Sequence, residues 1–238
     1  MEKKNKILLI SIVALALIAI GFCIYALIFK NDNKLKDAIK FKNEYTELNG
    51  KVNEFNGKEY VNVTLTDDNM FEYVTEEEAI KLLENGTGVI YFGFPSCPWC
   101  RSLLTPLAKV AKEKNETIYY LNILELRSAF KVVDGKLTKT KEGSTSYYKL
   151  LELLDDELET FYVEDKDGNK YDTEEKRLYA PTLVAVKDGK VTSLHVGTLD
   201  SQESGYDKLS DLQLSELENI ISKLIASKNV EVCTKDKC

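Results

Sequence analysis

Two cysteines hold the reactive chemistry of this 238-residue chain: Cys97 and Cys100, in Cys97-Pro98-Trp99-Cys100. They follow an apolar run, Val89-Ile90-Tyr91-Phe92, and open a stretch with Leu103, Leu107 and Val110 at helical spacing. A strand that leads into Cys-X-X-Cys at a helix start is the pattern of a dithiol redox site. Residues three apart on a helix have Cβ atoms about 5–6 Å apart, so a disulfide can close with little backbone movement. The first cysteine lies where free backbone N–H groups and the helix dipole favour negative charge, which lowers a thiol pKa. Cys97 is therefore the expected attacking thiolate, and Cys100 the thiol that resolves the mixed disulfide. Pro98 has no N–H to lose and a φ suited to a first helical turn.

The competing chemistry for a lone Cys-X-X-Cys is half of a zinc site, which needs two more ligands at metal spacing. The chain has one histidine, His195, and no second Cys-X-X-Cys; Cys233 and Cys238 lie far behind a polar tail. The expectation is a dithiol with no metal and no cofactor. Asp165-Lys166-Asp167-Gly168 with Glu174 has part of a calcium-loop spacing. Val163 stands where the first ligand is needed, so a plain turn is expected. Histidine invites a general-base role, but the alternation around His195 predicts an ordinary strand residue. Arg101 follows the dithiol and is expected to be a solvated helix residue, with support of the anion as the alternative. Trp99, between the cysteines, is expected on an exposed face that docks substrate.

The stretch Val89-Ile90-Tyr91-Phe92-Gly93-Phe94-Pro95-Ser96-Cys97-Pro98-Trp99-Cys100-Arg101 resembles the active-site strand and helix of the thioredoxin superfamily. Tyr179-Ala180-Pro181-Thr182-Leu183-Val184-Ala185-Val186 resembles that superfamily's cis-proline loop and the strand after it. Lys187-Asp188-Gly189-Lys190 reads as a hairpin turn, Val191 to Val196 as the return strand, and Gly197 matches the family's glycine beyond it. The match covers roughly residues 76 to 227. Within the superfamily the chain is most like membrane-anchored thioredoxin-like proteins of Gram-positive bacteria, some of which are called bacteriocin transport accessory proteins. The resemblance implies an α/β, thioredoxin-like fold with a central mixed sheet flanked by helices. It implies thiol-disulfide exchange, and a substrate groove bordered by Ala180 and Pro181.

The chain departs from that pattern in four places. Tyr91 falls where the family has a buried aspartate, and Tyr120 near the lysine that often accompanies it. Phenols titrate near pH 10, so neither can take a proton from the second cysteine as the carboxylate does. Pro106 lies one residue later than the family's helix proline. Ala180 precedes Pro181 where isoleucine, valine or threonine is usual.

The elements that must position these groups follow from periodicity. Phe41, Tyr45 and Leu48 have helical spacing, and Asn49-Gly50 ends the pattern. Tyr60 to Leu65 alternates and predicts a strand. Thr75-Glu76-Glu77-Glu78 is a capping box for a helix with Ala79, Ile80, Leu82 and Leu83. Strand 88–94, a helix at about 98–114 and strand 117–123 complete a crossover unit. Residues 125–178 are longer than a thioredoxin needs here. Tyr147, Tyr148, Leu150, Leu151 and Leu154 predict an inserted helix, and Phe161–Val163 with Lys170–Tyr171 a hairpin about Asp167-Gly168. That insertion either covers the core or shapes a substrate surface. The last helix starts at Ser210-X-X-Gln213 and buries Leu214, Leu217, Ile220, Ile221, Leu224 and Ile225.

Residues 7–29 carry no charge. At 1.5 Å per residue the run is about 35 Å long, enough to cross a hydrocarbon core of about 30 Å. Lys3, Lys4 and Lys6 precede it, which places the N-terminus in the cytoplasm. The run is longer than the apolar part of a cleaved signal, and Phe29-Lys30-Asn31 is no Ala-X-Ala site. Phe22 stands where a lipoprotein site at Cys23 would need a small residue. A single-pass signal-anchor is expected, with lipid bilayer around 7–29, residues 1–6 inside, a spacer over 30–59, a thioredoxin-like domain over 60–227 and a tail over 228–238. The net charge of −7 argues against nucleic acid as a partner. Lysine outnumbers arginine 29 to 3, as in proteins of AT-rich bacterial genomes.

The tail pair, Cys233 and Cys238, has three readings: a local structural disulfide, a second redox pair exchanging with Cys97, or free thiols. The first is the expectation, since an extracytoplasmic site permits disulfides. The whole reading is a membrane-tethered thiol-disulfide oxidoreductase that forms, isomerises or reduces disulfides in exported proteins or peptides, served by a separate redox partner. One apolar helix with a lone Cys23 carries no dithiol relay, which favours oxidase or isomerase over reductase. The alternative is a non-catalytic accessory module for peptide export, in which the cysteines serve structure.

Overall fold

The computed structural model describes residues 2–229, without some side chains of the first helix. The Cys233/Cys238 pair and the Cys23 side chain lie outside the described residues. In chain order the elements are α1 (Glu2–Thr46), β1 (Phe71–Tyr73), α2 (Glu76–Asn85), β2 (Gly88–Gly93), α3 (Pro98–Glu113) and β3 (Ile118–Asn122). There follow β4 (Ala129–Val133), β5 (Lys136–Lys141), α4 (Thr145–Leu153), β6 (Thr160–Glu164), β7 (Lys170–Lys176), β8 (Thr182–Lys187), β9 (Lys190–Val196) and α5 (Asp211–Ser227).

Five strands make the central sheet in the order β1-β3-β2-β8-β9. The first three are mutually parallel; β8 runs antiparallel to β2, and β9 antiparallel to β8. This mixed sheet with helices on both faces is a thioredoxin-like arrangement. Every residue of β2 is buried, which explains why its sequence is a continuous apolar run rather than an alternation. The pleat still sorts its side chains. Val89 and Tyr91 join α3, α5 and the end of α1 on one face. Ile90 and Phe92 join α2 and α4 on the other.

The local signals act where the sequence places them. Both capping boxes form, at Thr75 with Glu78 and at Ser210 with Gln213. Asp188 and Gly189 take φ values of 48° and 72°, the left-handed pair that a two-residue hairpin between β8 and β9 requires.

Three elements differ from the sequence expectation. Tyr60 to Leu65 is extended but joins no sheet. Its alternation is real, with Tyr60, Val63 and Leu65 buried. Side chains meet much of its backbone instead: Asn49 brackets Val63, accepting from its N–H and donating to its carbonyl, both at 2.8 Å. The insertion holds two hairpins rather than one. The unexpected pair, β4–β5, turns at Asp134-Gly135, the same dipeptide signal read at 167–168 and 188–189. The third difference is the segment read as a spacer.

That segment is part of the core. α1 runs without a break to Thr46 and puts Ala38, Phe41 and Tyr45 inside. Phe41 stacks on Phe71 with centroids 4.0 Å apart and rings 9° from parallel. The helix also serves the edge of the sheet: the Tyr73 N–H donates to Asp37 at 3.1 Å, Asn69 to the Ala38 carbonyl at 2.7 Å, and the Tyr73 hydroxyl to Glu44 at 2.6 Å. Edge strand β1 is thus covered by a helix on which its exposed groups find partners. Among the described residues no helix is long and apolar enough to cross a membrane.

Removing the ring that joins α1 to β1 tests this account. Phe41→Ala is expected to lower unfolding free energy by roughly 3–5 kcal/mol, the range for deleting a buried aromatic. A urea melt measures it; a loss below about 1 kcal/mol would show that α1 is dispensable to the core.

Candidate functional site

β2 ends at Gly93, and a three-residue turn delivers Cys97 to the N-cap of α3 with extended backbone, φ −80° and ψ 117°. The Cys97 sulfur takes the role an Asp or Ser oxygen usually plays, accepting from the Cys100 N–H at 3.2 Å. As a thiol it also donates to the Ala180 carbonyl at 3.2 Å. That carbonyl belongs to the cis peptide Ala180–Pro181, so the two distant stretches singled out in the sequence meet at one sulfur.

The two thiols are pushed in opposite directions. Burial raises the Cys97 pKa, but hydrogen bonds from the Cys100 thiol and N–H, the Arg127 charge and the Trp99 N–H outweigh it, and the net shift is downward. Cys100 is wholly buried, and burial raises it well above the ordinary thiol range; the neighbouring Cys97 adds to this. A hydrogen bond with the Tyr91 side chain works against that rise without cancelling it. One thiol is thus poised to ionise and the other to stay protonated.

Tyr91 and Tyr120 stand opposite one another in the β2–β3 register, their rings 5.4 Å apart. The Tyr91 hydroxyl shares a 3.1 Å bond with the Tyr45 hydroxyl from α1. Burial raises the Tyr91 and Tyr45 hydroxyls far above the usual phenol range, so this is a neutral hydrogen-bonded pair beside Cys100. A side chain on Gly93 would collide with the Tyr91 hydroxyl. No charged group takes the place of the aspartate that the resemblance would put here.

Arg101 is not solvated. It is among the largest wholly buried side chains. Its guanidinium donates to the carbonyls of Val61 at 2.8 Å, Tyr45 at 2.7 Å and Pro95 at 3.4 Å, and to the Asn49 side-chain oxygen at 2.7 Å. No local pattern predicts this, because the acceptors lie at the end of α1, in the irregular stretch after it and in the turn before α3.

Trp99 is half-buried and lines a 350 Å³ cleft with Tyr179, Ala180, Gly197, Leu199 and Gln202 among its walls. Gln202 holds the loop after β9 against α3: its amide donates to Ser102 Oγ at 3.0 Å, and its oxygen accepts from Thr198 at 2.5 Å. Ser102 in turn donates to the Gly205 carbonyl at 3.2 Å. A Cβ on Gly205 would lie 2.7 Å from the backbone nitrogen of Trp99, so only glycine lets the loop approach so close.

Sequence reading missed Arg127. Its guanidinium lies 4.7 Å above the Phe94 ring, and the Phe94 carbonyl accepts from the Cys97 N–H at 3.2 Å. The available signal was scarcity: arginine occurs three times, at 101, 127 and 177, and two of the three border the dithiol. His195 pairs with Leu183 across β8–β9. Burial lowers its pKa, and its other influences are Thr198 and Asp200, not the cysteines. Asp165 turns its carboxylate onto its own loop, accepting from the N–H groups of Asp167 at 2.9 Å and Asn169 at 3.0 Å. Among the described residues no group of His, Cys, Asp and Glu could hold a metal ion.

The strand order, the strand senses and a Cys-X-X-Cys at the start of the helix after β2 define the class: a thioredoxin-like α/β protein with a dithiol. No family model and no curated protein matches the sequence. Among solved structures, thioredoxin O2 from Arabidopsis thaliana in its oxidized state is similar over 66% of this chain and 96% of that one, at 15% identity and a TM-score of 0.35. The class assignment rests on the sheet and the dithiol, not on that likeness.

The lowered Cys97 pKa has a sign that can be measured. An ordinary thiol is half ionised at about pH 8.5. A depressed pKa keeps Cys97 reactive below that value and loses it only as pH falls through the lower one. Iodoacetamide labelling of the reduced protein, followed from pH 5 to 9, is expected to show a first thiol with its midpoint below about 8.5, while Cys100 stays unlabelled in the native protein. A single midpoint at the ordinary value contradicts the geometry.

Proposed function

We propose that the protein is a membrane-tethered thiol-disulfide oxidoreductase acting outside the cytoplasmic membrane on disulfides of exported proteins or peptides. The observation that carries this reading is the Cys97 sulfur itself: capped by the Cys100 N–H at 3.2 Å, beside the Ala180 carbonyl, at the edge of the cleft lined by Trp99.

In the reducing direction the Cys97 thiolate attacks one sulfur of a client disulfide and the other client sulfur leaves as thiolate. A mixed disulfide forms. Cys100 then loses its proton and attacks the Cys97 sulfur, the client's second thiolate departs, and Cys97–Cys100 closes; two electrons have passed to the client. In the oxidising direction every step runs backwards, and a separate redox partner removes the electrons. Ala180 and Pro181 border the groove for the client strand, and Trp99 forms part of its wall. A stabilised Cys97 thiolate favours the reduced form of the protein, as in strong oxidants. That supports oxidase or isomerase over reductase. Opposite pKa directions at the two sulfurs support an enzyme over a structural accessory module.

Membrane attachment is supported by the uncharged run 7–29 behind Lys3, Lys4 and Lys6. With the N-terminus inside, protease added to wall-stripped cells is expected to degrade the domain. Its survival in intact cells overturns the external location.

The chemistry is tested by trapping. Cys100→Ser is expected to accumulate clients as covalent adducts through Cys97, and Cys97→Ser to accumulate none. Trp99, the sole tryptophan, reports the dithiol state during titration against glutathione. A potential between about −120 and −200 mV is expected, and one below about −250 mV would reverse the proposed direction. Adducts that form equally through Cys100 would overturn the assignment of the nucleophile.

A further inference from the structure

Among the described residues Arg127 has no carboxylate partner. Every ion pair among the described residues uses a lysine. Arg127 makes none; its Nε is buried with no hydrogen-bond partner, and its one packing contact of note is the Phe94 face at 4.7 Å. A second arginine adds to the imbalance. Burial, then the like charge of Arg177, lowers the Arg127 pKa. Arg177 donates to the Ser128 carbonyl at 2.7 Å and lies 4.5 Å from the Phe161 ring. Phe161 meets Tyr179 edge-on at 6.1 Å, and Tyr179 is a wall of the cleft. The carboxylate two residues from Arg177 is taken: Glu175 accepts from Ser128 at 2.8 Å and pairs with Lys139 at 2.6 Å.

A part-buried guanidinium with open donors is costly unless an anion completes it. Its planar fork fits a carboxylate through two parallel hydrogen bonds, which a lysine cannot reproduce. Both arginines sit where the insertion leaves and rejoins the core, and the Arg177–Ser128 bond closes its neck. We propose that Arg127 and Arg177 form an anion-binding subsite of the client groove, and that it takes a peptide carboxylate close to the cysteine under attack. This gives the insertion a role in client selection. It rests on the redox reading above.

The test uses the reduced full chain in detergent with two small disulfides: 5,5′-dithiobis(2-nitrobenzoate), which bears carboxylates, and 4,4′-dithiodipyridine, which bears none. The ratio of the two rates cancels the fraction of Cys97 ionised. Arg127→Gln and Arg177→Gln are each expected to lower the anionic-to-neutral ratio by about tenfold or more, the worth of one charge-assisted bond. Arg127→Lys is expected to fall between. Thermal melts should show Arg127→Gln folded, since Arg127 gives up no hydrogen bond and loses a like charge; Arg177→Gln gives up its bond to the Ser128 carbonyl, and where it melts early Arg127→Gln alone carries the test. Mixed-disulfide peptides with Asp beside the cysteine, or with a free C-terminal carboxylate, compared with Asn and amidated forms, separate a side-chain source from a terminal one; a preference for either supports the subsite. An unchanged ratio overturns it, even if both rates fall, because Arg127 would then act only by ionising Cys97. A wild-type chain that reacts with neither disulfide overturns the redox reading instead.

Discussion

A buried guanidinium with no carboxylate partner holds the site together. Arg101 leaves α3 one residue after Cys100 and reaches the carbonyls of Tyr45, Val61 and Pro95 and the side chain of Asn49. Hydrogen bonds to charged groups contribute about 1.5–3 kcal/mol each, so four of them can offset the several kcal/mol lost on burying the ion. Lysine could not do this, because its single ammonium has no fork to span acceptors on separate stretches. The residues before β1, which form no strand of their own, are ordered by this contact and by Asn49. The same Asn49 oxygen that receives Arg101 also accepts from the Val63 N–H at 2.8 Å.

The interior behind the dithiol is aromatic where the resemblance leads one to expect a charge. Phe41, Tyr45, Phe71, Tyr91 and Tyr120 are buried there, stacked or edge-on at 4.0 to 6.4 Å. A carboxylate beside Cys100 would take its proton; a phenol of raised pKa only shares one. In the proposed reaction, resolution of the mixed disulfide would then draw its proton acceptor from elsewhere, and the departing client thiolate is the base that such chemistry supplies. The Tyr45 hydroxyl comes from α1, so the hydrogen-bonded phenol pair beside Cys100 depends on a helix other than the one that carries the thiols.

Much of this was legible in the chain. The β2–α3–β3 unit, both capping boxes and the Asp188-Gly189 turn each rest on a local rule and formed where they were read; the cis Ala180–Pro181 junction came from the resemblance alone. The reading of 30–59 as a spacer went wrong because Phe41 and Tyr45 are only two points of a periodic face, and nothing local says that Phe71 waits for them. Tyr60–Leu65 misled for a related reason: alternation reports burial on one side, not a hydrogen-bonding neighbour. Arg101 and Arg127 lay beyond any local rule, since one is satisfied by acceptors from three distant stretches of chain and the other, among the described residues, leaves its Nε without a partner. Their rarity was visible; their surroundings were not.

That rarity has a practical side. The chain carries 29 lysines and three arginines; among the described residues the lysines form the ion pairs, while two of the arginines border the dithiol. Amine-directed acylation strips positive charge from the first group and leaves the second untouched. The electrostatics of the exterior and those of the cleft are therefore chemically separable in the native protein, with a reagent and without a single mutation.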